Sequence, residues 1–227
     1  MPTAQDKIYS SSDYHQQKHG VSAKASDLIT RYRSRKFRAL TKSPDLDILE
    51  AGVGPGWNLI HLPAHRRVGQ DVTLAYADDL RKHGVEFVSD LSQLSGQQFD
   101  VVILSHVLEH LLEPAKMLAE LGALLKPDGR LLVLVPLESP VRAFSPRDNN
   151  HHLLSWNAHT LHEFLVASGY MVRSCEVKRT GFDRFAAELA VRLSGGFGLY
   201  RLLLSLLRAI RPCREIQAVA GYRPNFV

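Results

Sequence analysis

Short apolar runs alternate with helix-like patterns through the middle of the chain, and this alternation restricts the fold more than any other feature. Phe99–Leu104 is almost continuously apolar, as a strand covered on both faces must be. Four strands and three helices are predicted around it: strands at Asp47–Ala51, Arg67–Asp71, Val85–Val88 and Arg130–Val135, and helices at Trp57–Leu62, Leu74–Lys82 and Pro114–Leu125. Repeated βαβ units imply the doubly wound α/β class, with helices on both faces of a mostly parallel sheet.

The C-terminal part adds two strands. Tyr170–Lys178 is predicted as the sixth strand, and Glu215–Tyr222 as a closing strand that pairs antiparallel with it. Residues 181–212 separate the two as a helical insertion, with helices predicted at Asp183–Leu193 and Leu199–Arg211. The expected fold is therefore a seven-stranded, mostly parallel sheet with an antiparallel last strand.

The length of 227 residues suits a single α/β domain over 1–227. An N-terminal helical segment, 1–42, is expected ahead of the first strand. The stretch 138–156 has no clear period and follows the carboxyl end of the fifth strand, where ligands bind in this class, so it is predicted to be an active-site loop. Lys126–Gly129 is predicted to be a turn, because it combines proline with glycine.

Composition bounds the class of protein. Hydrophobic residues make up 45% and charged residues 22% of the chain, as in an ordinary globular protein. Two cysteines are too few for a disulfide-stapled scaffold, and no signal-peptide pattern occupies the start, so a cytoplasmic location is expected. The net charge of +5 favours anionic partners. The densest basic run, Arg31–Arg38, lies on a predicted helix that spreads its charges around the axis, so a nucleic-acid partner is not predicted.

A glycine-rich loop, Glu50–Gly56, follows the first strand. Its glycines allow a tight turn and let a ligand approach the backbone without an intervening Cβ. A dinucleotide fingerprint would place a third glycine at the sixth position counted from Gly52, but Trp57 stands there. A nucleotide-like ligand other than a nicotinamide dinucleotide is therefore expected.

The spacing E-x-G-x-G-x-G, from Glu50 through Gly52 and Gly54 to Gly56, resembles motif I of the class I S-adenosylmethionine-dependent methyltransferases. Two later segments, 99–111 and 125–131, look like landmarks of the small-molecule branch typified by the ubiquinone-pathway methyltransferases. The resemblance implies a Rossmann-like methyltransferase fold and S-adenosylmethionine as the cofactor. The cofactor-binding residues that it implies are Glu50, Gly52, Gly54, Gly56, Asp71 on the ribose, Asp90 and Leu91 at the adenine, and Ser105.

Histidines are the candidate catalytic residues. A methyl group on a sulfonium is already activated, so a base is useful only if the acceptor is a hydroxyl, and histidine titrates near neutral pH. The resemblance puts His106 near the transferred methyl group, as a base or as part of the cofactor pocket, and His152 in the following loop is the second candidate. His106, Glu109, His110 and a loop histidine also resemble a divalent-metal cluster of some relatives. Those relatives have glutamate in place of His106, so no metal is predicted.

The predicted function is methyl transfer from S-adenosylmethionine to a small molecule or a glycan or lipid precursor, at oxygen. Methylation of RNA or protein, and a non-catalytic cofactor-binding scaffold subunit, remain alternatives. The amphipathic helix Leu199–Arg211 is too short to cross a bilayer. It either packs over the substrate pocket or in a homodimer contact, or lies at a membrane surface as a peripheral contact.

Overall fold

The computed structural model describes residues 19–41, 43–139, 150–211 and 213–223. Residues 1–18 of the expected N-terminal segment, 1–42, and the middle of the predicted active-site loop, 140–149, lie outside the described residues. Six α-helices and seven strands are described: α1 Ala23–Thr41, β1 Asp47–Ala51, β2 Arg66–Gln70, α2 Ala77–Lys82, β3 Glu86–Val88, β4 Phe99–Ser105, α3 Pro114–Ala123, β5 Leu125–Pro136, α4 Ala158–Ala167, β6 Tyr170–Thr180, α5 Asp183–Arg192, α6 Phe197–Ile210 and β7 Cys213–Tyr222. Within these ranges, none of the helices combines the length and the apolarity that a membrane span needs.

The strands follow the order β3-β2-β1-β4-β5-β7-β6 in one seven-stranded sheet. β1 pairs parallel with β2, β2 with β3, and β4 with β5. β7 runs antiparallel to both of its neighbours, β5 and β6. The predicted seven-stranded, mostly parallel sheet with an antiparallel last strand is confirmed.

Two compact units make up the chain. The first contains the residues up to Ser95 together with 181–212, and therefore holds β1 to β3, α1, α2, α5 and α6. One of its apolar clusters joins α1 to α5 and α6, through Ile29, Ala186, Tyr200 and Leu204, all nearly inaccessible to solvent. The helices of the insertion thus complete the core beside α1.

The second unit contains residues 96–180 and those from Cys213 onward. Val102, Ile103 and Val133 of β4 and β5 are fully buried, as their apolar runs require. The hydroxyl of Tyr170, at the start of β6, donates a hydrogen bond of 2.7 Å to the carbonyl of Leu118 in α3. This bond ties a helix of the unit to its antiparallel strands.

Two local predictions are wrong. Trp57–Leu62 forms successive turns rather than a helix: the amides of Leu59 and Ile60 both bond to the carbonyl of Gly56, and Pro63 then has no amide to continue the pattern. The predicted turn at Lys126–Gly129 lies inside β5. It is accommodated as an irregularity, because Phe99 pairs with Leu125 whereas Val101 pairs with Arg130.

Candidate functional site

The glycine-rich loop leaves the end of β1 in a conformation that requires glycine. Gly52, Gly54 and Gly56 have φ angles of +73°, +49° and +73°, in the left-handed region. A Cβ on Gly56 would also overlap the side chain of Leu80. The amide of Gly52 bonds to the carbonyl of Gln70 at 2.8 Å, so the loop is anchored to the end of β2. The predicted loop glycines therefore form a tight turn in which Gly52 is half-buried and Gly54 and Gly56 are buried.

Asp71 fixes this turn. Its carboxylate accepts a hydrogen bond of 2.8 Å from the amide of Gly54 and one of 3.1 Å from the amide of Thr73. The sequence suggested only a ribose contact for this residue, and the bond to Gly54 is a second role that the spacing could not reveal. Each carboxylate oxygen can accept more than one bond, so acceptor capacity remains for ribose hydroxyls. The ribose contact stays a prediction.

Glu50 is a buried carboxyl group with one unsatisfied oxygen. Asn58 donates a hydrogen bond to Oε1, while Oε2 has no hydrogen-bond partner in the described part of the chain. Burial raises the pKa of Glu50 to about 8, although the bond from Asn58 and the charge of Arg33 act in the opposite direction. A ligand that brings a positively charged donor to Oε2 would satisfy this group. The ammonium group of S-adenosylmethionine fits that requirement.

Aromatic side chains near the loop were missed by the sequence analysis. The ring of His19 packs edge-on against Trp57 and Tyr76, with ring centroids 5.3 Å and 6.1 Å away. Its Nε2 lies 3.8 Å from the position that a Cβ on Gly54 would take. These residues carry no motif, and only the packing of the first unit brings them together.

Asp90 and Leu91 follow β3, as predicted. Asp90 is exposed, and its carboxylate accepts a hydrogen bond of 2.7 Å from the amide of Ser92 at the start of a 3-10 helix, Leu91–Leu94. This bond caps the helix. The predicted adenine contact of both residues remains a prediction.

In the second unit, Ser105 ends β4 and His106 follows in a left-handed conformation with φ of +57°. The ring lies between two carboxylates: Nδ1 is 3.4 Å from Oε1 of Glu109, and Nε2 is 3.5 Å from Oε2 of Glu215. The His106 side chain keeps 41% of its surface exposed, whereas both glutamates are buried. Glu215 belongs to β7 and was not a candidate from the sequence.

This geometry favours a charged His106. A neutral imidazole has one N–H and one lone pair, so one of the two carboxylates would face a lone pair; an imidazolium presents an N–H to each. Burial disfavours the charge, but Glu109 and Glu215 outweigh it and raise the pKa of His106 to about 9. A group that already carries its proton at neutral pH is poorly suited to act as a general base.

His152 differs from His106 because its Nδ1 pairs with a carboxylate while its Nε2 is left to accept a proton. Its Nδ1 lies 3.0 Å from Oε1 of Glu138, and the hydroxyl of Ser155 donates to Oε2 of the same carboxylate at 3.2 Å. A carboxylate that holds Nδ1–H leaves Nε2 as the proton acceptor. The amides of Leu153 and Leu154 both bond to the carbonyl of Glu109, at 2.8 Å and 3.1 Å, which fixes the backbone beside His152.

His110 packs against His152, with ring centroids 4.8 Å apart. Burial is the main cause that lowers the pKa of His110, and the nearby charge of His152 acts in the same direction. If a helix began at His106, then His106 and His110 would share one of its faces. Instead, His106 is left-handed and Leu108–His110 is a single 3-10 turn, although both rings lie near Oε1 of Glu109.

Glu109, His110 and His152 also offer ligand atoms that lie within 4.8 Å of one another. Carboxylate and imidazole are suitable ligands for a divalent cation, although no metal was predicted from the sequence. The positive charge of His106 beside Glu109 would compete with such an ion.

Comparisons with known proteins identify the family of this chain. A family model described as a methyltransferase domain matches residues 18–174. A probable S-adenosylmethionine-dependent methyltransferase of Mycolicibacterium smegmatis is 34% identical over 142 residues, which cover 56% of this chain and 52% of that protein. The chain thus spans about half the length of this curated relative.

Two solved structures show the same fold. The 1,6-didemethyltoxoflavin-N1-methyltransferase of Burkholderia thailandensis, solved with 1,6-didemethyltoxoflavin and S-adenosylhomocysteine, has a TM-score of 0.62 at 21% identity, covering 93% of this chain and 84% of that one. A putative methyltransferase of Bacillus halodurans has a TM-score of 0.57 at 15% identity, covering 84% of this chain and 98% of that one.

Proposed function

Because the chain belongs to the class I S-adenosylmethionine-dependent methyltransferases through its methyltransferase domain, we propose that it methylates a hydroxyl oxygen of a small molecule or of a glycan or lipid precursor. S-adenosylmethionine supplies a methyl group that its sulfonium has already activated. The protein then has to hold the cofactor, align the acceptor, exclude water and accept the acceptor's proton.

The first unit supports the cofactor part of this proposal. The left-handed turn of Gly52, Gly54 and Gly56 and the unsatisfied Oε2 of Glu50 suit the amino-acid end of the cofactor. Asp71 keeps the turn in place and offers further acceptor positions for a sugar. All of these groups belong to one compact unit.

The pair of His152 and Glu138 carries the proposal for oxygen as the acceptor atom. Glu138 orients the ring through Nδ1 and stabilises the positive charge that appears when Nε2 takes a proton. A hydroxyl acceptor has to lose its proton, so a histidine oriented in this way has a use in O-methylation. His152 is therefore our candidate base.

His106 becomes a positioning residue in this proposal. Its charged ring pairs with the carboxylate of Glu109, and the carbonyl of Glu109 in turn holds the amides next to His152. Loss of His106 should thus affect the rate through the placement of His152 rather than through direct proton transfer.

A panel of hydroxyl, amine and thiol small molecules, assayed by formation of S-adenosylhomocysteine, tests the acceptor class. We expect turnover with hydroxyl compounds. Turnover confined to amines or thiols, or observed only with RNA or protein added, would contradict the proposal.

With an active acceptor, His152→Gln should lower kcat by about a hundredfold or more while leaving the Kd for S-adenosylmethionine unchanged. His162→Gln is the matched control, because His162 also pairs with a carboxylate, at 2.9 Å from Glu163, but lies on α4. Its kcat should equal that of the wild type. A normal kcat in His152→Gln would remove His152 as the base.

A further inference from the structure

One arginine of α1 lies against the end of the glycine-rich turn. The guanidinium group of Arg33 is 5.1 Å from the ring centroid of Trp57, the residue directly after Gly56. Ser26 precedes Arg33 by about two helical turns, on the same side of α1. Its hydroxyl oxygen accepts a hydrogen bond of 3.0 Å from Nε1 of Trp57. This side of α1 therefore faces the turn that leaves β1.

The neighbouring arginines of α1 have different surroundings. Arg31 and Arg35 lie over the ring of Phe197 in α6, at 5.3 Å and 4.6 Å from its centroid, and Arg31 also pairs with Asp27 at 3.6 Å. Both are exposed, whereas the side chain of Arg33 keeps only 30% of its surface exposed. The densest basic run of the sequence thus directs Arg33 towards the glycine-rich turn and directs its two neighbours elsewhere.

The helical insertion holds Arg33 in this place. Nε of Arg33 donates a hydrogen bond of 2.9 Å to Oδ2 of Asp183, the first residue of α5, and Arg208 of α6 donates one of 2.8 Å to Oδ1. The side chain of Asp183 is only 9% exposed, so little water competes for its oxygens. Because two guanidinium groups share one carboxylate, these three side chains together carry two positive charges against one negative charge.

The charge of Arg33 acts on the carboxyl group that suits the ammonium group of the cofactor. It lowers the pKa of Glu50, against the larger effect of burial. In an α-amino acid the ammonium and the carboxylate are attached to the same carbon, so a group that binds the carboxylate has to lie close to the group that binds the ammonium. A guanidinium suits a carboxylate well, because its N–H groups form a planar fork. Arg33 and Glu50 also belong to the same compact unit.

We propose that Arg33 binds the carboxylate of S-adenosylmethionine and that Asp183 positions Arg33 for this contact, so that the helical insertion contributes to cofactor affinity. The bond to Asp183 uses one N–H of a guanidinium group that has five. The carboxylate of the cofactor then offsets the excess positive charge of Arg33, Asp183 and Arg208. This inference rests on the proposed contact between Glu50 and the ammonium group, but not on the identity of the methyl acceptor.

Calorimetric titration with two ligands tests the contact. Decarboxylated S-adenosylmethionine lacks the carboxylate and keeps the ammonium group and the sulfonium nucleoside, so the ratio of its Kd to that of S-adenosylmethionine measures the contribution of the carboxylate. We expect Arg33→Gln to raise the Kd for S-adenosylmethionine about tenfold or more and not to weaken binding of the decarboxylated ligand. Arg35→Gln is the matched control, because Arg35 also lies on α1 over an aromatic ring. It should bind both ligands like the wild type.

Changes at Asp183 test the positioning role. Asp183→Asn removes the charge that holds Arg33 and should lower the Kd ratio about threefold or more. Combined with Arg33→Gln, the same change should leave the ratio where Arg33→Gln alone puts it. Asp183→Glu keeps the charge but moves the carboxylate by one methylene group, so it should lower the ratio as well. This second variant decides the matter if Asp183→Asn does not fold.

The two ligands separate a contact from a supporting role. Equal loss of affinity for both ligands in Arg33→Gln, or the same change in Arg35→Gln, would overturn the proposal, because Arg33 would then only support Trp57. An unchanged ratio in the folded Asp183 variants would overturn the positioning role. Failure of the Glu50 contact has a different signature: the wild type would then bind both ligands without releasing a proton, whatever the effect of Arg33→Gln.

Discussion

Glu50 is a residue whose charge depends on what binds beside it. Its burial leaves the carboxyl protonated in the free protein at neutral pH, since its pKa lies near 8. Asn58 satisfies one oxygen and leaves the other without a donor. A cationic donor at that oxygen would favour the carboxylate and drive the proton off.

We therefore expect binding of S-adenosylmethionine near pH 7 to release close to one proton, and the affinity to rise between about pH 6 and pH 8. Calorimetric titrations in buffers of different ionisation enthalpy measure the release. Glu50→Gln, which keeps the shape of the side chain, should bind without release. A wild type that binds with no proton change would exclude the contact between Glu50 and the ammonium group.

His106 makes a second pH-dependent prediction. Its folded pKa, about 9, is above the ordinary value for histidine, so its contribution to stability is complete below about pH 6.5 and is lost as the pH rises towards 9. Glu109 and Glu215 are the source of this contribution.

Urea unfolding of the wild type and of His106→Gln at several pH values measures this effect. The difference in free energy of unfolding between the two proteins should shrink as the pH rises from 6.5 to 9, whereas His162→Gln should track the wild type throughout. A constant difference would mean that His106 is neutral in the folded protein.

At the scale of elements, α5 and α6 cover one side of α1. Ile29, Leu28 and Trp57 share an apolar cluster with the alanines of α5 and with Tyr200 and Leu204 of α6. The two helices therefore act as structural parts of the first unit.

Replacing residues 183–210 by a short glycine-serine linker should expose this cluster and lower the free energy of unfolding by about 5 kcal/mol or more, since each large buried apolar side chain contributes about 1.5–3 kcal/mol. Urea unfolding and dye binding to exposed apolar surface provide the measurement. Leu206→Ser with Ile210→Ser should change stability by only about 0.5 kcal/mol, because both side chains are already exposed. Undiminished stability after the deletion would show that the cluster is dispensable.

The strands were the elements best predicted from the sequence, and the reason is physical. A strand buried on both faces has to be apolar, so Phe99–Leu104 differs from β4 by one residue. No helix forms at Trp57–Leu62, because tertiary contacts determine the conformation of that segment. Asn58 donates a hydrogen bond to Glu50, and Pro63 has no amide hydrogen with which to continue a helix. The local sequence pattern does not reveal such contacts.

The candidate site shows the same limit. The glycine turn and the histidines could be predicted because their spacing is local. Two carboxylates lie against these histidines: Glu138 follows β5, and Glu215 belongs to β7. Only strand pairing brings Glu215 to His106. The protonation state of His106 and the orientation of the His152 ring therefore could not be inferred from sequence.

At the scale of the whole molecule, the chain leaves the first unit after Ser95, forms most of the second, and returns to the first at Gly181. The first unit is thus discontinuous in sequence, and its apolar cluster joins Ala25 in α1 to Leu204 in α6. Closing such long-range contacts slows folding relative to contacts between neighbours.

This connectivity has a consequence for the protein during its synthesis. At 5–20 residues per second, a ribosome needs roughly ten seconds or more to proceed from α1 to the end of α6. Throughout that interval the apolar side of the nascent α1, with Leu28 and Ile29, lacks the helices that cover it in the finished protein. Newly made chains should therefore depend on chaperones that hold apolar segments until translation has passed residue 210.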